Sequence, residues 1–168
     1  MKTILDTEQL ELTIQRLSHQ LMEVHQGFSN TVLIGIQPRG VFLSDRIVQH
    51  LQTAQSIPLM YGKLDITFYR DDIRKELHVA NNTEIPFSIE GLNVVLIDDV
   101  LYTGRTIRAA LDALLAFGRP EKVELCVLID RRHSRQLPIQ PDYCGKSIDS
   151  IVSEKVKVEW EKGQVMLY

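Results

Sequence analysis

Only two cysteines, Cys126 and Cys144, occur in the 168 residues, and they form neither a CxxC pair nor a zinc-type spacing. A disulfide-stapled or zinc-held fold is thereby excluded, and such cysteine usage suits a reducing compartment. Cys126 sits inside an apolar run at 123–129, where it reads as a small buried hydrophobe. No apolar segment approaches the roughly 20 residues that a helix needs to cross a bilayer. Charged and apolar residues alternate at the N-terminus, unlike the unbroken core of a signal peptide. A cytoplasmic protein without membrane contact is expected. Excess positive charge is also missing: the formal net charge is -3 and the pI about 5.9, so nucleic acid would have to be met by a local basic patch. Two common phosphate motifs are absent as well. There is no GxGxxG after a strand and no GxxxxGK[ST], which excludes dinucleotide and Walker-type sites.

What is present suits one globular domain spanning 1–168, with 44% hydrophobic and 24% charged residues and no repeat or low-complexity tract. Residues 6–26 place Leu10, Ile14, Leu17, Leu21 and Val24 at helical spacing, and Gly27 is a stop signal. Residues 31–36 are apolar and β-branched without polar alternation, the mark of a strand buried on both faces of a parallel sheet. A turn at 37–40 and a helix over about 41–51 follow, then a strand over 59–69. Residues 94–97 form the clearest buried strand. They run into Asp98 and Asp99, a short loop, and a helix with Ile107, Leu111, Leu114 and Leu115 on one face, ended by Gly118. A further buried strand covers 123–129. Strands alternating with helices predict an α/β fold, a central parallel sheet with helices on both faces. The alternating tails 155–160 and 164–168 predict an antiparallel hairpin appended to it.

Ligands of open parallel sheets bind beyond the carboxyl ends of the strands, and the strand end at 98–106, DDVLYTGRT, is the most informative one. Its Thr-Gly-Arg-Thr opens a helix whose first amides lack internal partners and lie at the positive end of the dipole. Gly104 allows close backbone approach, and Thr103 and Thr106 add hydroxyls. Together they form a phosphate cup. Two adjacent carboxylates can each accept a hydrogen bond from a vicinal diol and can orient hydrated Mg²⁺. Asp-Asp alone suits a solvated turn, and Thr-Gly alone suits a helix cap. The contiguous strand, acids, Thr-Gly-Arg-Thr and helix describe a ribose 5-phosphate site.

The segment VVLIDDVLYTGRT at 94–106 resembles the phosphoribosyl pyrophosphate signature of type I phosphoribosyltransferases. Its wording is most similar to the bacterial pyrimidine operon regulator/uracil phosphoribosyltransferase (PyrR) family. LDITFYRDD at 64–72, RAALDALLAFGRP at 108–120, LPIQPDYCGKSI at 137–148 and SEKVKV at 153–158 support that branch, so the resemblance spans almost the whole chain. It implies the type I phosphoribosyltransferase fold, with a hood formed by segments of about 131–168. It also implies synthesis of UMP and pyrophosphate from uracil and phosphoribosyl pyrophosphate, with Mg²⁺ as cofactor.

The same resemblance assigns roles by position. Asp98 and Asp99 would hold the ribose hydroxyls and, through them and water, the metal. Leu101, Tyr102, Thr103, Gly104, Arg105 and Thr106 would wrap the 5′-phosphate, and Val100 would also contact the phosphoribosyl pyrophosphate. Pro38, Arg39 and Gly40 would receive pyrophosphate, in a turn that in this superfamily often contains a non-proline cis peptide. Arg39, with the two acids, would carry catalysis by stabilising the leaving group. The polar stretch 70–88 reads as a lid that excludes water and brings Arg70 or Arg74 to the pyrophosphate. Purine members carry a carboxylate at the position of Tyr102, so uracil is favoured over a purine. The base would meet Asp130, Arg131 and His133, with Tyr143 and Lys146 of the appendage. Family members also bind leader RNA of pyrimidine genes in response to UMP and assemble as homo-oligomers. Here the basic footprint for RNA is thin: Arg16, His19, Arg132 and Arg135 remain, and Gln140 stands where relatives place an arginine.

Overall fold

The computed structural model describes residues 1–56, 58–69 and 83–168. Five parallel strands form the main sheet: β2 (Thr31–Ile36), β3 (Met60–Leu64), β4 (Asn93–Leu101), β5 (Lys122–Arg132) and β6 (Tyr143–Asp149). Their order is β3-β2-β4-β5-β6. Successive strand residues face opposite sides. Val95 and Ile97 therefore join Leu33 and Leu128 beneath α1 (Thr7–His25) and α2 (Gly40–Ala54). Val94 and Leu96 join Ile34 and Val127 beneath α3 (Arg105–Leu114). With both faces covered, no position from Val32 to Ile36 or in the middle of β4 is left for a polar residue. That is the physical content of the unalternated runs.

The remaining strands, β1 (Lys2–Leu5), β7 (Val156–Glu159) and β8 (Gln164–Leu167), form an antiparallel sheet of order β1-β8-β7. The hairpin around 161–163 is the expected one, while β1 is an addition that extends it. Ile4, Leu5 and Val165 share a buried cluster with α1 and the main sheet, which seats the small sheet on the domain core. Helix α1 begins in a reciprocal cap: Asp6 Oδ1 accepts from the Gln9 amide at 2.8 Å, and Gln9 Oε1 accepts from the Asp6 amide at 3.0 Å.

Several expectations change. The strand expected over 59–69 stops at Leu64, because Asp65 Oδ1 accepts hydrogen bonds from the amide and hydroxyl of Thr67 at 3.1 and 2.7 Å and turns the chain into a 3-10 segment, Thr67–Tyr69. On α3, Ile107 and Leu114 are buried with Ala110 and Ala113, whereas Leu111, and Leu115 just beyond the helix, are 39% and 68% exposed. Ala110 and Ala113 pack into the cluster that holds Val94 and Leu96. Residues 143–149, assigned to the hood from sequence, form β6 at the edge of the main sheet instead. The expected lid falls largely outside the described residues, Arg70 and Arg74 with it. Its far end does not stand free: Lys63 and Glu84 exchange backbone hydrogen bonds of 3.0 and 2.8 Å beside β3, and Ile85 is buried.

Candidate active site

The chain leaves β2 through α2 toward β3 on one side, and leaves β4 through α3 toward β5 on the other. The carboxyl ends of these two adjacent strands therefore open onto a crevice at the point where the winding reverses, the usual ligand position in such sheets. Into it come the turn 37–40 and the segment 98–106. The turn contains a cis peptide bond at Gln37–Pro38, an X–Pro bond, in place of the non-proline one expected. Arg39 is exposed at the start of α2, and Gly40 is buried behind it.

Asp98 and Asp99 lie within β4, only 7% and 6% exposed. Each accepts a short local hydrogen bond: Asp98 Oδ1 from the Asp99 amide at 2.9 Å, Asp99 Oδ1 from the Val100 amide at 2.7 Å. Burial, followed by the neighbouring Asp99 charge, pushes the Asp98 carboxyl well above the usual carboxylate range. Burial likewise raises Asp99, against the opposing pull of the Arg39 guanidinium. Two carboxylates strained in this way attract hydroxyl donors or a cation.

Beyond them Leu101 is buried, and the chain turns through Gly104 at φ +94°, a conformation that favours glycine, to start α3. The Thr103 hydroxyl accepts from the Arg105 amide at 3.3 Å, fixing the first turn. A cavity of about 300 Å³ is lined by Asp98, the whole of 100–107 and Gln136. Side chains from beyond β5 hold this loop. Gln136 accepts from Arg105 Nε at 2.7 Å and donates its amide to the Thr103 carbonyl at 2.9 Å. Arg135 donates to the Tyr102 carbonyl at 2.7 Å, to the Ile139 carbonyl at 2.7 Å and to Asp130 Oδ1 at 2.6 Å. Asp130 and Arg135 were expected at the base and at RNA respectively; the structure pairs them in a largely buried clamp on the loop 100–106.

Arg131 lies with its guanidinium carbon 4.0 Å from the centre of the Tyr102 ring and donates to Ser150 Oγ at 2.8 Å and to the Ile151 and Glu154 carbonyls at 3.1 and 3.0 Å. Ile151 and Val152, in the loop that Arg131 binds, are 66% and 82% exposed.

Other expected site residues lie elsewhere. Tyr143 starts β6 at the level of Cys126, below the carboxyl rim, and its buried hydroxyl donates to Glu124 at 3.1 Å. Lys146 donates to the Ile4 carbonyl at 3.0 Å, tying β6 to β1. His133 has an exposed side chain 3.5 Å from Asp149, which also pairs with Arg132 at 3.0 Å. Arg16 donates to the Cys144 and Gly145 carbonyls and so covers the β6 edge. His19 is exposed on α1.

Paired buried acids and a helix-opening loop meet at the switch point of a parallel sheet, an arrangement suited to a phosphorylated ligand. Residues 1–162 match the phosphoribosyl transferase domain family. A Staphylococcus aureus hypoxanthine phosphoribosyltransferase superposes with a TM-score of 0.73 at 20% identity, covering 98% of this chain and 90% of that one. A Trypanosoma cruzi hypoxanthine phosphoribosyl transferase gives 0.74 at 16% identity, covering 99% and 90%. These likenesses carry the fold. The bifunctional protein PyrR of Bacillus subtilis is 41% identical over 163 residues, 95% of this chain and 90% of that protein. That of a Picosynechococcus species is 49% identical over 156 residues, 92% and 88%. The chain belongs to the phosphoribosyl transferase domain family and, within it, to the PyrR branch.

Proposed function

We propose that the protein transfers the ribose 5-phosphate unit of phosphoribosyl pyrophosphate to uracil, giving UMP and pyrophosphate. The observation that carries this reading is the buried pair Asp98 and Asp99, which adjoins a loop opening α3, with Asp98 and that loop lining one cavity. The acids accept hydrogen bonds from the ribose hydroxyls, and residues 100–106 receive the 5′-phosphate through amides and threonine hydroxyls. Pro38, Arg39 and Gly40 face the pyrophosphate. As the bond from the anomeric carbon to pyrophosphate breaks and the bond to the uracil nitrogen forms, negative charge grows on the departing oxygen, where Arg39 stabilises it. The uracil nitrogen gives up its proton, which the released pyrophosphate takes up.

The acids also fit Mg²⁺. They are buried side by side with raised proton affinity, and a divalent cation relieves that repulsion. No group of three or more His, Cys, Asp or Glu side chains able to hold a metal occurs among the described residues. Asp98 and Asp99 would therefore share the ion with substrate oxygens and water. When bound, it supplies charge neutralisation to the pyrophosphate.

Uracil is favoured over a purine because Tyr102, where the resemblance places a purine-directed carboxylate, is aromatic and lies beneath Arg131. Ile151 and Val152, exposed in the loop that Arg131 binds, are the apolar side chains we assign to a flat base. Turnover with uracil, guanine, hypoxanthine and xanthine tests the assignment. Uracil should be the fastest, and faster conversion of any purine would overturn it.

The name of the relatives, bifunctional, motivates a second activity, UMP-responsive binding of pyrimidine leader RNA. With Arg16 and Arg135 holding backbone carbonyls, Arg132, whose partner Asp149 is exposed, and His19 are the candidates for it. We place the protein in the cytoplasm because both cysteines are free thiols. No helix among the described residues is long and apolar enough to cross a membrane. Self-association into a homo-oligomer is supported by Leu12 and Val24, 56% and 57% exposed on α1.

A further inference from the structure

Arg131 is only 6% exposed, yet its three hydrogen-bond acceptors are neutral. The adjacent acid, Asp130, is held by Arg135 at 2.6 Å. Taking a cation out of water is costly, and an apolar side chain could fill the same volume without that penalty. Packing alone therefore gives no reason for a guanidinium here. Its shape does. A planar fork can stack on a ring with its face while donating in its own plane. Arg131 does both, covering the Tyr102 ring at 4.0 Å and binding Ser150, Ile151 and Glu154.

Tyr102 is itself a fixed point, since Arg135 holds its carbonyl at 2.7 Å. Two arginines from the end of β5 thus grip one residue, by its ring and by its backbone. The loop 150–154 is different. Within itself it is closed by the Ile151 amide donating to Glu154 Oε2 at 2.8 Å, and Arg131 donates three bonds to it while stacking on the Tyr102 ring.

We infer that Arg131 is a positioning residue that braces the loop 150–154 against the ring of Tyr102, so that the wall of the base pocket is set by the phosphate loop. The inference rests on reading 100–106 as the phosphoribosyl half of the site and 150–154 as the base half. It replaces the direct contact of Arg131 with the base expected from sequence. Its consequence is a split: disturbing the brace weakens use of the base and leaves the phosphate half intact. A purely structural arginine would lower stability without favouring either half.

The test compares wild type with Arg131→Met, Arg131→Lys, Tyr102→Leu and the Arg131→Met/Tyr102→Leu double variant. Three quantities are measured: KM for uracil, Kd for ribose 5-phosphate by calorimetry, and amide hydrogen exchange across 150–154 in the ligand-free protein. Arg131→Met should raise the uracil KM about tenfold while ribose 5-phosphate affinity stays within about twofold. Arg131→Lys should recover only part, keeping the charge but losing the fork. Tyr102→Leu should also raise the uracil KM, and the double variant should exceed the worse single one little, as expected for two ends of one contact. An unchanged uracil KM in Arg131→Met, or effects that multiply in the double variant, would overturn the brace. If wild type converts no uracil or binds no ribose 5-phosphate, the functional reading fails, and exchange alone then judges the brace. Faster exchange at 150–154 in both single variants supports it, and unchanged exchange in either contradicts it.

Discussion

Gly40 and Asp98 meet at backbone distance across the switch point. A β-carbon on Gly40 would lie 3.0 Å from the Asp98 Cα, 3.0 Å from its Oδ1 and 2.5 Å from the Ile97 carbonyl oxygen. The turn proposed for pyrophosphate and the acids proposed for ribose thus touch, and only the smallest residue permits it. Gly40→Ala should force the two apart. Thermal denaturation should show a loss of about 1–3 kcal/mol, and the KM for phosphoribosyl pyrophosphate should rise more than that for uracil. An Ala variant with wild-type stability and kinetics would show that this approach is not needed.

Asp99→Asn separates function from stability. Asparagine can still accept from the Val100 amide, so the fold should survive while turnover falls by roughly a hundredfold or more. Folding raises the proton affinity of both acids, burial being the first cause for each. Their stability contribution is therefore fully present below the ordinary carboxylate range and is lost as pH rises through the raised folded values. At neutral pH the ligand-free Asn variant should be more stable by about 1–2 kcal/mol, and its denaturation midpoint should fall less with rising pH. A variant less stable than wild type at neutral pH would contradict this assignment of the strain.

What the chain made legible follows from how each feature is encoded. β2 and β4 are buried on both faces, so their runs could be read directly, and the phosphate loop is contiguous. β1 is too short to show a period. β6 lies at the sheet edge with Lys146 and Ser147 exposed, and reads as loop. Gly145 gave no sign that a β-carbon there would lie 2.4 Å from the Leu128 carbonyl oxygen. The Arg135 clamp and the Arg131 stack join residues about thirty positions apart, and such pairs leave no local pattern. For the same reason Tyr143 was misplaced, since its partners Glu124 and His25 become visible only in the fold.

The Arg135 clamp can be tested by a double-mutant cycle. Asp130 and Arg135 are only 6% and 13% exposed at their side chains. Arg135→Met would leave a buried carboxylate unpaired and should cost about 3–5 kcal/mol in urea denaturation, whereas Asp130→Asn together with Arg135→Met should recover part of that loss. Purely additive effects would show that the pair is not coupled.

RNA binding should carry a weak electrostatic signature. With Arg132 and His19 as the candidate contacts, filter binding of pyrimidine leader RNA across a salt series should give a log–log slope of about -1 to -2 per chain. A slope steeper than about -4 would require a basic face beyond these residues.

The central claim is that the acids and hydroxyls between β4 and α3 cradle an activated sugar phosphate. Crystals soaked with phosphoribosyl pyrophosphate and Mg²⁺ test it most directly. Difference density should place the 5′-phosphate against 101–106 and the ribose hydroxyls against Asp98 and Asp99. Density for the donor at any other position, or none at concentrations that support turnover, would contradict the account.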